Sequence, residues 1–198
     1  MDWGIPENES LLVSEEEAIE IGKGRQGIHP NGTVRFFADP NVEDIMGVKA
    51  EMAFSQLTGI PMDKNLYEQG DGCIDFMVPF GDSNELVSLD VKGAKTPYNL
   101  FVKEPDIKRC SEIVVLARVE ENKVWFLGWE HKSMMSLMPK RDFGYGIVNY
   151  FRSFKAIRPM RQLVEMIEMG KKTIDATRQT DAIKNLVAER ELRLKQAV

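Results

Sequence analysis

Residues 70–95 read GDGCIDFMVPFGDSNELVSLDVKGAK, and this stretch decides the fold that we predict. Two short apolar runs flank the turn-forming sequence GDSN at 81–84, which is typical of a β-hairpin. Each run contains one carboxylate, Asp75 or Asp90, where a buried strand would normally have an apolar residue. Side chains on a strand alternate between its faces, so Asp90 and Lys92 should point the same way. The hairpin therefore predicts a hard-cation site with an ammonium group beside it.

A helix is predicted upstream of the hairpin, over residues 40–57 (PNVEDIMGVKAEMAFSQL). Its apolar residues can share one face, and Glu51 lies at the border of that face. Pro40 suits the first turn of a helix. Two acids and a lysine near a hairpin are often only solvated charges at the rim of a sheet, without a chemical function. A helix with Glu, then Asp, then Asp-x-Lys in this order is a much rarer combination.

This order of residues resembles the PD-(D/E)XK nuclease superfamily, including its resolvase-like and restriction-like branches. The resemblance covers about residues 42–132, a little under half of the chain. It matches Glu51 to the helical acid, Asp75 to the acid at the second strand, and Asp90 and Lys92 to the acid and lysine of the motif. One departure is the isoleucine before Asp75, where the family name has proline.

The resemblance implies an α/β (α+β) fold with a restriction-endonuclease-like core. That core is a four- to five-stranded mixed sheet flanked by helices, here with a helical extension at the C-terminus. The implied activity is hydrolysis of DNA phosphodiester bonds, in DNA repair, recombination or phage and defence DNA processing. The implied cofactor is Mg²⁺ or Mn²⁺, bound by Asp75, Asp90 and the backbone carbonyl of Val91. Glu51 would bind it directly or through water, or would support a second metal. Lys92 would orient the attacking water, help deprotonate it or stabilise transition-state charge, and these roles stay open.

Residues 138–161 form a second informative stretch, with six bases and five aromatic residues against one acid. A chain of net charge −5 that handles nucleic acid must concentrate its positive charge somewhere. The residues predicted to contact nucleic acid are Lys95, Lys140, Arg141, Arg152, Lys155 and Arg158. In the competing interpretation, the aromatic rings lie in the core and the basic residues lie on a solvated face of the protein. Because exposed charges add little stability, neutralising Arg152, Lys155 and Arg158 is expected to leave the fold intact.

The length of 198 residues suits one domain with extensions, which we divide into an acidic segment 1–38, a nuclease core 39–161 and a helical extension 162–198. Two cysteines are too few for a disulfide scaffold or a four-cysteine cluster, and two histidines give a zinc site little to build on. No apolar run reaches membrane length, and the acidic start is unlike a signal peptide. We therefore predict no membrane partner and a cytoplasmic location.

The flanking segments give further expectations. Ser14 followed by three glutamates predicts a helix start, and glycines at 22, 24 and 27 predict its early end. Residues 158–198 are expected to be helical, with a break at Gly170. The apolar stripe within 172–198 predicts contact with a second copy in a homodimer, or packing on the chain's own sheet. Further predicted elements are strands at 34–38, 98–102, 112–119 and 123–129, and a short helix from 131.

Two other classes of function remain at this stage. One is a nucleic-acid-binding module on a nuclease fold that has lost catalysis, and the intact acid set argues against it. The other is a structural or interaction protein in which the acids are rim charges. Metal-dependent cleavage that disappears in Asp90→Ala separates the nuclease from both. DNA or RNA as substrate, endo- or exonuclease action, specificity and pathway stay open.

Overall fold

The computed structural model describes residues 10–26, 40–63, 74–82, 85–144 and 146–171, together with the helical positions 184, 185 and 188. Within these ranges the chain is a mixed α+β structure with two sheets, which confirms the predicted class. The strands are β1 (Leu11–Leu12), β2 (Phe76–Pro79), β3 (Leu86–Ala94), β4 (Asn99–Lys103), β5 (Ile113–Glu120), β6 (Lys123–His131), β7 (Lys140–Asp142) and β8 (Val148–Ser153). The helices are α1 (Glu15–Gln26), α2 (Pro40–Thr58), α3 (Lys132–Met135) and α4 (Met160–Gly170), with one 3₁₀ turn at Glu104–Asp106.

The main sheet has five strands in the order β1-β6-β5-β3-β2. Strands β3 and β5 run parallel and every other neighbouring pair is antiparallel, so the sheet is mixed, as predicted. The β2–β3 hairpin and the β5–β6 hairpin both form where the sequence predicts them. Strand β5 lies at the centre and is apolar on both faces, because a layer of structure covers each side of it.

Helix α2 packs on one face of this sheet, where the first apolar core forms. The rings of Phe54 and Phe76 lie 4.8 Å apart between centroids in this core. The helix passes close to β3 at Gly93, where an added Cβ would lie 2.7 Å from the carbonyl oxygen of Met46 and 3.2 Å from the Cβ of Ala50. The missing side chain at Gly93 therefore sets how closely α2 approaches the strand that carries Asp90 and Lys92.

Gly93→Ala should lower the free energy of unfolding by about 1–3 kcal/mol, because the new methyl group would overlap a backbone carbonyl. Gly47→Ala is the matched control within α2, since an added Cβ there meets no atom within 4 Å. The control should gain about 0.5–1 kcal/mol from helix propensity. Urea unfolding measures both changes. Equal stability of the Gly93→Ala protein and wild type would show that the helix–strand contact is loose.

A second sheet of three antiparallel strands, in the order β4-β8-β7, covers the opposite face of the main sheet. The sequence predicts residues 98–102 as a further strand, and the structure places it in this second sheet instead of the first. The β7–β8 hairpin was not predicted, because β7 is short, charged and exposed and β8 is only partly buried. The apolar cluster between the sheets comprises Leu100, Val102, Cys110, Val114, Leu116, Met135 and Ile157.

The N-terminal segment contributes to the core through β1 and α1. The hydroxyl of Ser14 accepts a hydrogen bond from the Glu17 amide at 3.2 Å, which confirms the predicted helix start. The predicted break at Gly22 and Gly24 is wrong, because α1 continues through both to residue 26. An added Cβ at Gly22 would lie 3.1 Å from Ile45 of α2, so the small residue serves helix packing there. Gly27 and the predicted strand at 34–38 lie outside the described residues.

The C-terminal part begins with α4, which ends at Gly170 as the sequence predicts. Leu163 and Ile167 are buried against the first core. The predicted helix and dimer contact within 172–198 lie outside the described residues, apart from three helical positions. Across the described ranges, no helix has the length and apolar character required to cross a membrane.

Candidate active site

Asp75 stands directly before β2 and is held to β3 at two points. Its backbone amide donates to the carbonyl oxygen of Leu89 at 2.9 Å. Its carboxylate Oδ2 accepts a hydrogen bond from the amide of Val91 at 2.6 Å. These two bonds fall on the residues that flank Asp90, so the Asp75 carboxylate is fixed beside the backbone of the motif strand.

Asp90 and Lys92 lie on one face of β3 and form an ion pair. The ammonium Nζ of Lys92 lies 2.9 Å from Oδ1 of Asp90 and 2.6 Å from Oδ2. The Asp90 side chain is buried, whereas that of Lys92 is 43% exposed. The alternation predicted for this strand is therefore confirmed, and the pair spans from the protein interior to solvent.

Glu51, the residue that the resemblance matches to the helical acid, is buried on α2. It follows Ala50, the residue whose Cβ approaches Gly93, and Gly93 in turn follows Lys92. Gly93 faces α2, and side chains alternate along a strand, so Asp90 and Lys92 point to the other face of β3, the face that the second sheet covers. That Glu51 faces the same pocket as the two aspartates stays a prediction.

The oxygen atoms near β3 suit a hard cation. In antiparallel pairing the N–H and C=O of one residue point to the same neighbouring strand, so the carbonyl of Val91 should point to the side where Asp75 lies. Mg²⁺ commonly uses one or two carboxylates and keeps several waters, which fits Asp75, Asp90 and this carbonyl. Among the residues that the structure describes, no three acidic, histidine or cysteine side chains form a group arranged to hold a metal ion. The role of Glu51, as a direct ligand, as a ligand through water or in support of a second metal, stays a prediction.

Two bases predicted to contact nucleic acid, Arg152 and Arg158, bind a carboxylate that the sequence analysis did not single out. Glu130 on β6 is fully buried. Its carboxylate is ion-paired with Arg152 and with Nε of Arg158 at 3.1 Å, and it accepts from the amide of His131 at 3.0 Å. The sequence contains one signal for Glu130, which is a single acid inside an apolar β run. The same pattern drew attention to Asp75 and Asp90.

Glu130 lies on the same face of the main sheet as Asp90. In the pairing register Asp90 is opposite Val114, and Val114 is opposite Glu130. Residues that are directly opposite share a face, and two strand spacings make about 10 Å. The buried ion triad therefore stands two strands away from the candidate metal site, under the second sheet.

The sequence predicts that Arg152 is an exposed charge, and the structure contradicts this prediction. Its side chain is 23% exposed and reaches from β8 of the second sheet to Glu130 of the main sheet. Removing one partner of a buried ion pair leaves an uncompensated charge in the interior. The reason for expecting the fold to survive neutralisation of Arg152, Lys155 and Arg158, namely that all three are surface charges, therefore does not hold for Arg152.

The remaining predicted bases divide into a paired and an unpaired group. Lys140 is paired with Glu104, and the hydrogen bond and negative charge of that carboxylate raise the pKa of Lys140 above its ordinary 10.5. Lys95, Arg141 and Lys155 have no ion-pair partner within the part of the chain that the structure describes. The guanidinium of Arg141 lies 5.6 Å from the ring centroid of Phe143, and the ammonium of Lys155 lies 5.8 Å from that of Phe154.

The candidate site therefore consists of Asp75, Asp90 and Lys92 on or beside β3. Glu51 lies on the helix that packs on the other face of this strand, and its part in the site stays a prediction. Its geometry permits cation binding by aspartate oxygens next to a solvent-accessible ammonium group. Comparison with known proteins gives no independent identification, since no protein family, curated protein or solved structure matches this chain significantly.

Proposed function

We propose that this protein is a divalent-metal-dependent nuclease that hydrolyses DNA phosphodiester bonds, with a PD-(D/E)XK site on a restriction-endonuclease-like core. One observation carries the proposal. The carboxylate of Asp75 is bonded to the backbone amide between Asp90 and Lys92, and these two residues are themselves ion-paired. Asp75, fifteen residues before Asp90 in the sequence, is thus held beside the strand that carries Asp90 and Lys92, which is the arrangement that the resemblance implies.

The protein groups in this proposal have separate tasks. Asp75, Asp90 and the carbonyl of Val91 would hold Mg²⁺ or Mn²⁺, and Glu51 would bind it directly or through water, or would support a second metal. The bound cation would supply Lewis-acid stabilisation of the phosphate and a more acidic water. Burial of Asp90 and Glu51 keeps competing solvent away from their carboxylates. Hydrogen bonding fixes the position of Asp75, so little rearrangement is needed on substrate binding.

Lys92 is proposed to stabilise charge on the scissile phosphate or to orient the attacking water. Its ion pair with Asp90 favours the protonated ammonium form, which donates hydrogen bonds and accepts none. Its half-exposed side chain can exchange that carboxylate for a phosphate oxygen when substrate is bound. Action as a general base would first require loss of this proton, so charge stabilisation is the better supported role.

The proposed partner is DNA, and a homodimer stays part of the prediction. Lys95, Arg141 and Lys155, which have no ion-pair partner among the described residues, supply the positive charge that contact with phosphates needs. A catalytically inactive DNA-binding module would need no ion-paired lysine beside two fixed aspartates, so the arrangement favours the nuclease. DNA processing in the cytoplasm is the corresponding cellular role.

The direct test is cleavage of a labelled panel of single-stranded, duplex, flap and four-way-junction DNA and of RNA. Cleavage should appear with Mg²⁺ or Mn²⁺, stop on chelation and be absent in Asp90→Ala. Asp82→Ala is the matched control, because Asp82 is an exposed acid in the turn of the same hairpin. Metal-independent cleavage, or wild-type rates in Asp90→Ala, would contradict the proposal. Binding of DNA with no cleavage of any substrate would favour the inactive module.

A further inference from the structure

The second sheet has an outward face that carries aromatic rings. Strands β4 and β8 alternate, with Leu100 buried against the main sheet and Phe101 turned away from it. Phe101 is directly opposite Phe151 in the pairing register, so the two rings share the outward face. Phe143, which follows β7, lies against both.

The three rings form a contiguous cluster at the surface. The ring centroids of Phe101 and Phe143 are 5.0 Å apart, and those of Phe143 and Phe151 are 5.2 Å apart, both edge to face. Phe101 is 39% exposed and Phe143 is 37% exposed. Contiguous exposed aromatic surface on a protein commonly marks an interaction site. Edge-to-face packing also leaves ring surface available for a further stacked ring.

The charge of this outward face is positive. Arg141 stacks on Phe143 and is opposite Asn149, and Lys103 is opposite the same asparagine on the other side. The remaining register positions of the face, Asn99 and Ser153, carry no charge. The face therefore combines rings and cations without a carboxylate, although the whole chain has net charge −5. This combination complements a ligand that has both flat rings and phosphates.

The loop that presents Phe143 is held in place by its own backbone. The carboxylate of Asp142 accepts hydrogen bonds from the amide of Gly144 at 2.8 Å and from that of Gly146 at 3.1 Å. Both glycines have positive φ, 97° and 72°, which other residues rarely adopt. These bonds occupy Asp142 and so keep its charge within the loop. Phe143 and Arg141 are thereby supported at the edge of the face.

The face also adjoins the segment that leaves the candidate active site. Strand β4 begins four residues after Lys95, and Lys95 follows Lys92 by three. The carbonyl of Tyr98 accepts from the amide of Phe154, which places Lys155 beside this connection. Lys95 and Lys155 thus lie at the end of the face that is nearest in the chain to the motif lysine.

We propose that this face, formed by Phe101, Lys103, Arg141, Phe143 and Phe151 and here named the aromatic platform, binds single-stranded DNA. Unpaired bases would stack on the rings, while Lys103 and Arg141 contact the phosphates. Bases in a duplex are already stacked on each other, so the platform distinguishes an unpaired strand from a duplex. The inference rests on the proposed nuclease function and names its substrate class, a strand or end with unpaired nucleotides.

Fluorescence anisotropy of a labelled oligothymidine in a chelating buffer tests the platform without cleavage. Phe101→Ala and Phe143→Ala should each weaken binding about ten-fold, because one stacked base loses its ring. Leu137→Ala and Met169→Ala remove exposed apolar side chains elsewhere and should bind as wild type does. Arg141→Gln should reduce the slope of log affinity against log salt by about one. Duplex DNA of the same length should bind more weakly than the single strand.

Wild-type affinity in both phenylalanine variants, or equal affinity for single strand and duplex, would overturn the proposal. Variants that keep DNA affinity but lose self-association in light scattering would overturn it in favour of an interface between copies of the chain. Repeating the titration in Asp90→Ala separates the two proposals. If Asp90→Ala loses cleavage but still binds DNA through the rings, both the nuclease and the platform proposals are supported. If the wild-type protein binds DNA through the rings but does not cleave it, only the platform proposal is supported.

Discussion

Replacing Lys92 by methionine should lower the rate of DNA cleavage by about 10²–10⁴-fold, since this is the range that a positioned charged or proton-transferring group contributes. Methionine has a similar length and no charge. The affinity for Mg²⁺ or Mn²⁺ should be retained or rise, because the ammonium group of Lys92 competes with the cation for both oxygens of Asp90. Lysine is no metal ligand while it is protonated.

Asp90→Asn gives the opposite pattern and completes the comparison. It removes a charged ligand, so metal binding and cleavage should be lost together. Calorimetric titration with Mn²⁺ measures the first quantity, and a cleavage assay at saturating metal measures the second. Lys108→Met, at an exposed lysine outside the site, should change neither. Wild-type cleavage rates in Lys92→Met would remove that residue from the mechanism, and loss of metal binding there would show that it supports the aspartates instead.

The parts of the site that the sequence predicts are those that depend on local geometry. Alternation along one strand is sufficient to place Asp90 and Lys92 on the same face, and the structure confirms it. The turn sequence at 81–84 fixes the hairpin that brings Asp75 near them. The bond from Asp75 to the amide of Val91 was beyond prediction, because it depends on the pairing of the two strands to within one residue.

The second sheet shows why the fold was predicted only in part. Its β7–β8 hairpin has no run of apolar residues. Tyr150 packs against the second apolar cluster, and Arg152 reaches the main sheet through its ion pair with Glu130. For such a sequence, the pattern of polar and apolar residues predicts an exposed basic surface instead of a strand with one buried face. The continuation of α1 through Gly22 has a similar cause, since close packing against Ile45 outweighs the weak helix propensity of glycine.

The ion-pair partners of Glu130 could not be predicted from its own segment of the chain. Its position in an apolar strand is visible in the sequence, but its partners lie 22 and 28 residues further along the chain. Their meeting depends on how the second sheet docks on the first, and no local pattern encodes this. The same arginines, seen only as charges in a basic stretch, suggest phosphate contacts.

Arg152→Met should lower the free energy of unfolding by about 3–5 kcal/mol, the usual cost of breaking a buried ion pair from one side. The carboxylate of Glu130 would keep only Arg158 and the amide of His131 in a fully buried position. Arg161→Met is the matched control, because its ion pair with Glu165 lies on the exposed side of α4. The control should change stability little. Urea unfolding followed by circular dichroism measures both, and similar values for the two variants would contradict the prediction.

A double replacement distinguishes a missing charge partner from lost packing. Glu130→Met combined with Arg152→Met removes both charges and keeps apolar volume between β6 and β8. Apolar replacements of buried ion pairs are often neutral or stabilising, so the double variant should unfold at a higher urea concentration than Arg152→Met alone. This comparison also serves if the single variant is too unstable to purify. A double variant less stable than Arg152→Met would contradict the prediction, because it would show that Arg158 and the amide of His131 still compensate the Glu130 carboxylate when Arg152 is absent.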